Sequence, residues 1–476
     1  MAAPPRRDPW ASPALVPLAL VLANLAGLAV SVLVPMLLSG AEYAIFALVW
    51  SLGQLLASLA YEWMRVCVMR FAVGAEAGKT AARRRALWRG YGATTAALLG
   101  AAALAAPALP QAPALAVVCL FAAGQGVFDG RQALARAEMD TGFFVRAWVL
   151  RSALGLVLGA AAAALTGQGL AAVAGLALSF PLAMMALRGL KVAGVSAPAD
   201  PVQAGFLWRF GVYAALATNL SLAFPALARA LAAAGMGLEA AAGAMLALDL
   251  AQKAVAMVGL VVNLVMIQRS IRLAEFGAAA DLPAQAGRQI AVTAVFVAPA
   301  ALGFWLIRTP FADLVVPQGY GAAYAAVIGP AALAAGVGAF RLFGVDTLFV
   351  IRGQTRGAAA GPLVSLLVLA GVGGLAAEAG PAAFGWACAG AAVAGAWVAL
   401  ARARAAGPIL WPGADLARVA AGCLAMIAVA RLAPVSAGVA GMALQIAVCA
   451  LAYGATALAL NTIGLRAMIG ARAGAR

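Results

Sequence analysis

Histidine is missing from this sequence of 476 residues, and only 10% of the residues carry a charge. Histidine is the commonest metal ligand in proteins and the usual general base, so its absence argues against a metal centre and against acid–base catalysis. The five cysteines lie in or beside apolar runs without CxxC spacing, which is typical of small packing residues rather than of a disulfide or metal framework. We therefore expect neither a cofactor nor a bound metal.

Long polar stretches are missing as well, and no polar segment reaches the size of a soluble domain. Hydrophobic residues make up 65% of the chain, and the mean hydropathy is +1.00. Apolar runs of the ~20 residues that cross ~30 Å of hydrocarbon recur about fourteen times along the sequence. The first run, from about Pro13 to Leu38, is too long for a signal-peptide core. The sequence thus predicts an all-α polytopic membrane protein with about fourteen transmembrane helices.

The predicted spans fall into groups. A Pro-containing connector at 190–209 separates spans 1–6, in residues 1–189, from spans 7–12, in residues 210–404; two further spans and a basic tail fill residues 405–476. Polar residues recur at similar spacing in the first two spans of each group: Asn24, Glu42 and Gln54, then Asn219, Glu239 and Gln252. This echo predicts two parallel six-span halves, and transporters with such repeats bind substrate between the halves.

Acidic residues are scarce, with 16 Asp and Glu against 32 Lys and Arg, which gives a net charge of +16. Most of the basic residues fall at the termini, in alternate loops and at the helix ends that flank those loops. The positive-inside rule assigns that side to the cytoplasm, and an even number of spans places both termini there. Because this topological bias accounts for most of the basic charge, we expect no nucleic-acid partner.

The predicted span from Gly243 to Gln268 contains polar residues close to its middle: Asp249, Gln252 and Lys253. An ionisable side chain at this depth is costly and marks a functional hypothesis by default. Asp249 and Lys253 are four residues apart, so they share a helical face and can neutralise each other. Two interpretations remain open at this stage, an ion pair that only locks helix packing and a polar wall of a substrate cavity.

Span 4 carries a polar stripe, because residues at offsets of 4, 7 and 11 share one helical face: Gln125, Asp129, Gln132 and Arg136. The stripe favours either a wet cleft or a helix that emerges into water at this end. In span 2, Glu62 and Arg65 are three residues apart and are expected to pair.

Arg341 lies deep in span 10, and Asp346 follows it by five positions. On an α-helix two residues five apart point about 140° from each other. The sequence therefore predicts that Arg341 has no partner on its own helix and is available to an anionic ligand.

Four stretches of the sequence resemble a known superfamily. The stretch EYAIFALVWSLGQLLASLAYEWMRVCVMRF resembles the second span of polysaccharide-exporting flippases of the MOP (multidrug, oligosaccharidyl-lipid, polysaccharide) superfamily. QALARAEMDTGFFVRAWVLRSALGLVLG is similar to their connection between spans 4 and 5, and GAMLALDLAQKAV and LFVIRGQTRGAA are similar to segments after their seventh and tenth spans. One departure is Ala228-Arg229, where family members often carry an Asp-Arg pair.

The resemblance implies two six-helix lobes around a central cavity plus two C-terminal helices. It also implies a bacterial inner-membrane flippase that moves a polyprenyl-diphosphate-linked oligosaccharide by alternating access, for exopolysaccharide or O-antigen assembly. The implied partners are the lipid-linked glycan, membrane lipid and the polysaccharide polymerase or export machinery. The rival hypotheses are a cation-coupled multidrug antiporter of the same superfamily, a membrane enzyme of polysaccharide assembly and a non-transporting scaffold.

We assign provisional roles to the polar residues within spans on this basis. The expected phosphate contacts are Arg65, Lys253 and Arg341, and the expected sugar contacts are Asn24, Gln54, Asn219 and Gln252. Asp129 and Arg131 complete the predicted binding residues, while Asp249 and Glu62 are candidates for coupling to a cation.

Overall fold

The computed structural model describes residues 15–72, 77–105, 111–187, 201–276, 281–352, 354–432 and 438–467, and these residues contain no β-strand. Its first eight helices are α1 (Leu15–Leu37), α2 (Gly40–Phe71), α3 (Ala77–Ala105), α4 (Ala112–Ala137), α5 (Thr141–Thr166), α6 (Gly169–Ala186), α7 (Pro201–Met236) and α8 (Leu238–Phe276). The others are α9 (Leu282–Leu306), α10 (Arg308–Val315), α11 (Gly321–Phe340), α12 (Asp346–Ile351), α13 (Ala360–Glu378), α14 (Pro381–Ala405), α15 (Gly413–Leu432) and α16 (Gly438–Ala459).

Twelve helical segments among these residues are long and apolar enough to cross a membrane. Two further helices, α1 and α3, occupy the places of predicted spans 1 and 3. The predicted all-α polytopic architecture is confirmed. Two details differ from the sequence pattern. α7 begins at Pro201, so that residues 201–209 of the predicted connector are helical, and the predicted span 10 contains a π-helical turn at Arg341–Val345. Residues 188–200 of the connector lie outside the described residues.

The chain divides into two compact units, Met1–Ala230 and Leu231–Arg476, with the boundary inside α7. We call them the N-terminal unit and the C-terminal unit. In the N-terminal unit α4 packs against α2, α3 and α6, while α5 packs against α1 and α6.

The C-terminal unit repeats this order of packing. α11 packs against α8, α9 and α14, α13 packs against α14, and the end of α7 meets α13 where Gly235 faces Ala377. Each of these named contacts in the N-terminal unit thus has a counterpart six spans later in the C-terminal unit. This agreement is what a parallel repeat of six spans requires.

The start of α2 shows how local polar groups fix the helix ends. The Ser39 hydroxyl accepts a hydrogen bond from the Glu42 amide at 3.4 Å, which caps the first turn. The Glu42 carboxylate accepts a hydrogen bond from the Gly169 amide at 2.8 Å, and this bond joins α2 to the start of α6. A Cβ on Gly169 would collide with the Glu42 carbonyl oxygen, so only glycine allows this approach.

The last two helices pack on α9. The Tyr453 hydroxyl donates to the Val295 carbonyl at 2.7 Å, and the Gln445 side-chain amide donates to the Leu306 carbonyl at 3.3 Å. Both bonds join α16 to α9 within the C-terminal unit. α15 and α16 also pack against each other, so they form a pair appended to the six-helix repeat.

Candidate functional site

A paired guanidinium lies on α2 in the N-terminal unit. Arg65 Nε donates to Glu62 Oε2, and its terminal nitrogen donates to Oε1, each at 2.5 Å. The predicted pair is therefore present, and it has the two-pronged geometry that arginine forms best with a carboxylate. Glu62 is buried, whereas part of the Arg65 side chain is exposed. Part of the Arg65 side chain is therefore accessible to a second anion.

Asp129 on α4 lies within electrostatic range of this pair. Its carboxylate interacts with the charges of Arg65 and Arg151 and with Glu62, and it accepts a long 3.4 Å hydrogen bond from Gln125. Arg136 interacts electrostatically with Arg65 and Asp129. Asp129 and Arg136 of the polar stripe predicted on α4 thus lie in electrostatic range of charged residues on α2 and α5, which the sequence could not show.

Two glycines let α4 approach the neighbouring helices closely. A Cβ on Gly126 would collide with the Tyr61 ring, and one on Gly130 would collide with the Tyr91 ring. These two tyrosine rings stack with centroids 5.5 Å apart, and the Tyr61 hydroxyl bonds the Thr95 hydroxyl at 2.8 Å. The aromatic stack fixes α2, α3 and α4 beside the charged group.

Several arginines of the N-terminal unit lie on aromatic faces. The Arg131 guanidinium lies 4.3 Å from the centroid of the Trp88 ring, and Arg151 lies 4.4 Å from that of Phe180. Arg136 lies 4.6 Å from the centroid of Phe144. Cation–π contacts of this kind hold a guanidinium without neutralising it. Arg131 and Arg151 each keep one buried nitrogen without a hydrogen-bond partner.

The predicted sugar contacts differ in their surroundings. Asn219 on α7 accepts a 2.6 Å hydrogen bond from the Ser58 hydroxyl on α2, so both lie in the N-terminal unit. Asn24 and Gln54 are half-buried, and Gln252 on α8 is exposed. Ser58 carried no signal of its own in the sequence, because a single serine in an apolar span is common.

In the C-terminal unit Lys253 Nζ donates to Asp249 Oδ2 at 2.9 Å. This confirms the pairing expected from the spacing of four residues. Asp249 is buried, and Lys253 is partly exposed. The arrangement parallels Arg65 and Glu62, since in both pairs the carboxylate is the more buried member.

The prediction that Arg341 has no partner on its own helix is wrong. Its Nε lies 3.3 Å from Asp346 Oδ2, and a terminal nitrogen donates to the Ser365 hydroxyl at 3.2 Å. The π-turn supplies the reason: the Asp346 amide donates to the Arg341 carbonyl, so residues five apart lie above each other. Arg341 and Asp346 are both buried.

Neighbouring side chains supply hydrogen bonds to the irregular backbone at the π-turn. The Gln289 amide on α9 donates to the Phe343 carbonyl at 2.8 Å, and the Thr347 hydroxyl donates to the same carbonyl at 3.1 Å. A π-bulge often marks a functional position in a helix. The sequence analysis missed Gln289 and Ser365, because their contacts with the π-turn and with Arg341 join different helices and leave no pattern within one helix.

In the part of the chain that the structure describes, no group of Cys, Asp and Glu side chains is arranged to hold a metal ion. The charged residues instead form arginine- or lysine-centred groups within each unit. The N-terminal unit brings together Arg65, Glu62 and Asp129, with Arg136 and Arg151 in electrostatic range. Such groups can bind an anion by exchanging a carboxylate for it.

Comparisons with known proteins find similarity of fold. The structure matches the lipid II flippase MurJ in an inward closed conformation with a TM-score of 0.67 at 13% identity, over 95% of this chain and 99% of that chain. It matches a MATE protein in complex with MaL6 with a TM-score of 0.54 at 14% identity, over 82% and 94%. An inward-facing multidrug resistance MATE family transporter of the MOP superfamily gives 0.51 at 14%, over 82% and 95%.

No family model matches the sequence, and no curated protein matches it either. At 13–14% identity the structural matches establish the fold and leave the substrate to the chemistry of the site.

Proposed function

We propose that this protein is a flippase that carries a lipid-linked, diphosphate-bearing oligosaccharide across the membrane by alternating access. The observation that carries the proposal is the cationic group of the N-terminal unit. Three guanidinium groups, those of Arg65, Arg136 and Arg151, lie in electrostatic range of the Asp129 carboxylate, and Glu62 is the second carboxylate beside them. An excess of cations in a transmembrane unit favours an anionic substrate over a cationic drug.

The carboxylates have a definite task in this proposal. Without substrate, Glu62 and Asp129 compensate part of the positive charge, which would otherwise be costly in a membrane-spanning unit. A diphosphate offers more acceptor oxygens than a carboxylate and binds arginine in the same two-pronged geometry. Substrate binding is then an exchange of anions around Arg65 and its neighbours, and release is the reverse exchange.

In the C-terminal unit Lys253 is the proposed phosphate contact, and Asp249 tunes its charge or couples transport to a cation. Arg341 forms an ion pair with Asp346 and donates a hydrogen bond to Ser365. In this proposal it does not contact the substrate, and it influences transport by fixing the position of α12. Asn24, Gln54, Asn219 and Gln252 are the proposed sugar contacts. Gln252 is the exposed member of this set.

The remaining parts of the proposal concern location and organisation. The bacterial inner membrane, cytoplasmic termini and a role in exopolysaccharide or O-antigen assembly follow from the basic loops and the family resemblance. The proposed lobes are residues 1–189 and 210–404, with 190–209 as the connector and 405–476 as the additional helices. The lobe boundaries come from the sequence pattern.

Flipping in liposomes tests the function. The purified protein is reconstituted with a polyprenyl-diphosphate oligosaccharide that carries a fluorophore on its glycan, and a membrane-impermeant reductant reports the exposed fraction. Arg65→Gln and Lys253→Gln should each lower the flipping rate roughly tenfold or more, because a hydrogen bond to a charged group contributes ~1.5–3 kcal/mol. Arg288→Gln and Arg402→Gln, which remove exposed charges at helix ends, are the matched controls.

A second candidate is a cation-coupled multidrug antiporter, and a specific observation favours it: three aspartates, Asp129, Asp249 and Asp346, lie beyond the first turn of helical segments long and apolar enough to cross a membrane. The same liposomes distinguish the two functions. Efflux of a cationic dye that Asp249→Asn abolishes, without flipping of any glycolipid tested, would replace the flippase proposal with the antiporter.

A further inference from the structure

A basic and aromatic surface lies where the start of α7 meets the end of α2. The two helices are in contact: Leu207 is buried, its carbonyl accepts from the Cys67 thiol at 3.3 Å, and a Cβ on Gly211 would collide with the Trp63 backbone. Most of the other described residues of this stretch are exposed, and three of their rings also rest against α2. Trp208 contacts Trp63, with ring centroids 4.9 Å apart, and Phe206 and Phe210 contact Phe71 at 5.2 Å and 4.9 Å.

The outward faces of this stretch are unusually aromatic. Phe206 is 45% exposed, Trp208 54%, Phe210 38% and Tyr213 50%. Their positions just precede the apolar segment of α7, which runs over Ala215–Met236. Exposed aromatic side chains at the end of a membrane-spanning segment are typical of the membrane–water interface.

Basic residues accompany the rings. Arg70, at the end of α2, and Arg209, among the rings of α7, are both exposed. Arg83 on α3 lies 5.3 Å from the centroid of Phe71 and 5.5 Å from that of Phe206, and its Nε donates to the Gln203 side chain at 2.9 Å. These contacts fix the Arg83 guanidinium but leave its charge uncompensated.

Acidic residues do not balance this charge in the described part of the surface. Glu138 forms an ion pair with Arg84, whose Nε also donates to the Ala72 carbonyl at 2.5 Å. The contacts of Arg83 are to an amide oxygen and two rings. The surface therefore offers guanidinium groups beside apolar rings, which complements an anion attached to a hydrocarbon chain.

We infer that Arg70, Arg83 and Arg209, with Phe206, Phe210 and Trp208, bind the headgroup of an anionic membrane phospholipid. The guanidinium groups hold the phosphate in the two-pronged geometry, and the rings contact the first carbons of the acyl chains. This surface is distinct from the proposed substrate contacts, because Arg70 follows Arg65 by five residues on a regular α-helix and points about 140° away from it.

Native mass spectrometry of lipid retention tests the inference. The full-length protein in detergent is incubated with dioleoyl phosphatidylglycerol or dioleoyl phosphatidylcholine, and bound lipid is counted. Phosphatidylglycerol should be retained preferentially, and Arg70→Gln/Arg209→Gln should weaken its retention roughly tenfold or more, since a basic residue at an anionic surface contributes about fivefold. Arg70→Lys/Arg209→Lys should keep only part of it, because lysine preserves the charge but cannot form the two-pronged contact. The control Arg288→Gln/Arg402→Gln should keep all of it.

Three results of the phospholipid assay alone would overturn the inference. They are equal retention of the two lipids, unchanged phosphatidylglycerol retention in Arg70→Gln/Arg209→Gln, and an equal loss in the control variant. A parallel assay with a polyprenyl diphosphate separates this surface from the substrate site, because its binding should be unchanged in Arg70→Gln/Arg209→Gln. Loss of both ligands together would assign these residues to the substrate site instead. None of these readouts requires that the protein flips a glycolipid.

Discussion

Arg341 and Asp346 form a buried ion pair across a single π-helical turn, with 3.3 Å between Nε and Oδ2. The pair depends on the extra residue in the turn, because a regular α-helix would point the two side chains to different sides. Ser365 on α13 takes a second bond from the same guanidinium. One irregular turn thus joins α11, α12 and α13.

Removing one charge of the pair should lower the free energy of unfolding strongly, whereas removing both charges should lower it only a little. Arg341→Met leaves the Asp346 carboxylate buried without its partner and should lower the free energy of unfolding by ~3–5 kcal/mol. Arg341→Met/Asp346→Leu removes both charges and should recover most of that loss. Thermal unfolding of the purified protein in detergent measures both. Equal losses in the single and double variants would contradict a role for the charge pair.

Arg418 and Asp415 supply the control, because this pair has the same charges at 2.9 Å but its side chains are 40% and 26% exposed. Arg418→Met should change the unfolding free energy by ~1 kcal/mol or less.

Asp129 should limit anion affinity. Asp129→Asn removes a negative charge near Arg65 and Arg151, so binding of a polyprenyl diphosphate should tighten by roughly tenfold, which corresponds to ~1.4 kcal/mol of charge interaction. The tighter complex should release substrate more slowly and lower the flipping rate. Equilibrium binding to the protein in nanodiscs measures the first effect. Asp313→Asn, at an exposed position of α10, should leave affinity unchanged, and weaker binding in Asp129→Asn would refute the exchange of anions.

Gly126 should tolerate no side chain. Gly126→Ala places a methyl group against the Tyr61 ring and should cost ~1–3 kcal/mol in stability, because the stacked Tyr61 and Tyr91 rings must shift. Thermal unfolding checks this expectation. Gly100→Ala is the matched control, since a Cβ there meets no atom within 4 Å and alanine favours the helix by up to ~1 kcal/mol. Similar unfolding temperatures for the two variants would disprove the steric argument.

The basic loops predict the orientation of the helices. Ala405→Cys, at the end of α14, should be protected from a membrane-impermeant maleimide in intact cells, and Gln168→Cys, between α5 and α6, should be labelled. Both positions are exposed. The native cysteines give a low background, because Cys423 is half-buried and the other four are buried. Labelling of Ala405→Cys and protection of Gln168→Cys would reverse the predicted topology.

Local patterns predicted the pairs that depend on regular helix geometry. Asp249 with Lys253 and Glu62 with Arg65 were found at the spacings where an α-helix brings side chains together. Arg341 with Asp346 was missed, because hydropathy and residue spacing carry no sign of a π-turn. That turn is stabilised by Gln289 and Ser365 from helices distant in sequence.

The sequence by itself determined that this chain folds in a lipid membrane. A mean hydropathy of +1.00 and repeated apolar runs leave only membrane-spanning helices, because every backbone group in lipid must be hydrogen-bonded within the chain. Only the tertiary structure decided which charges meet. Asp129 lies in electrostatic range of Arg65 on α2, where Gly126 lets α4 pack tightly on the Tyr61 ring. Contacts between charges on different helices depend on how the side chains of those helices pack. The order of residues along one helix does not determine that packing.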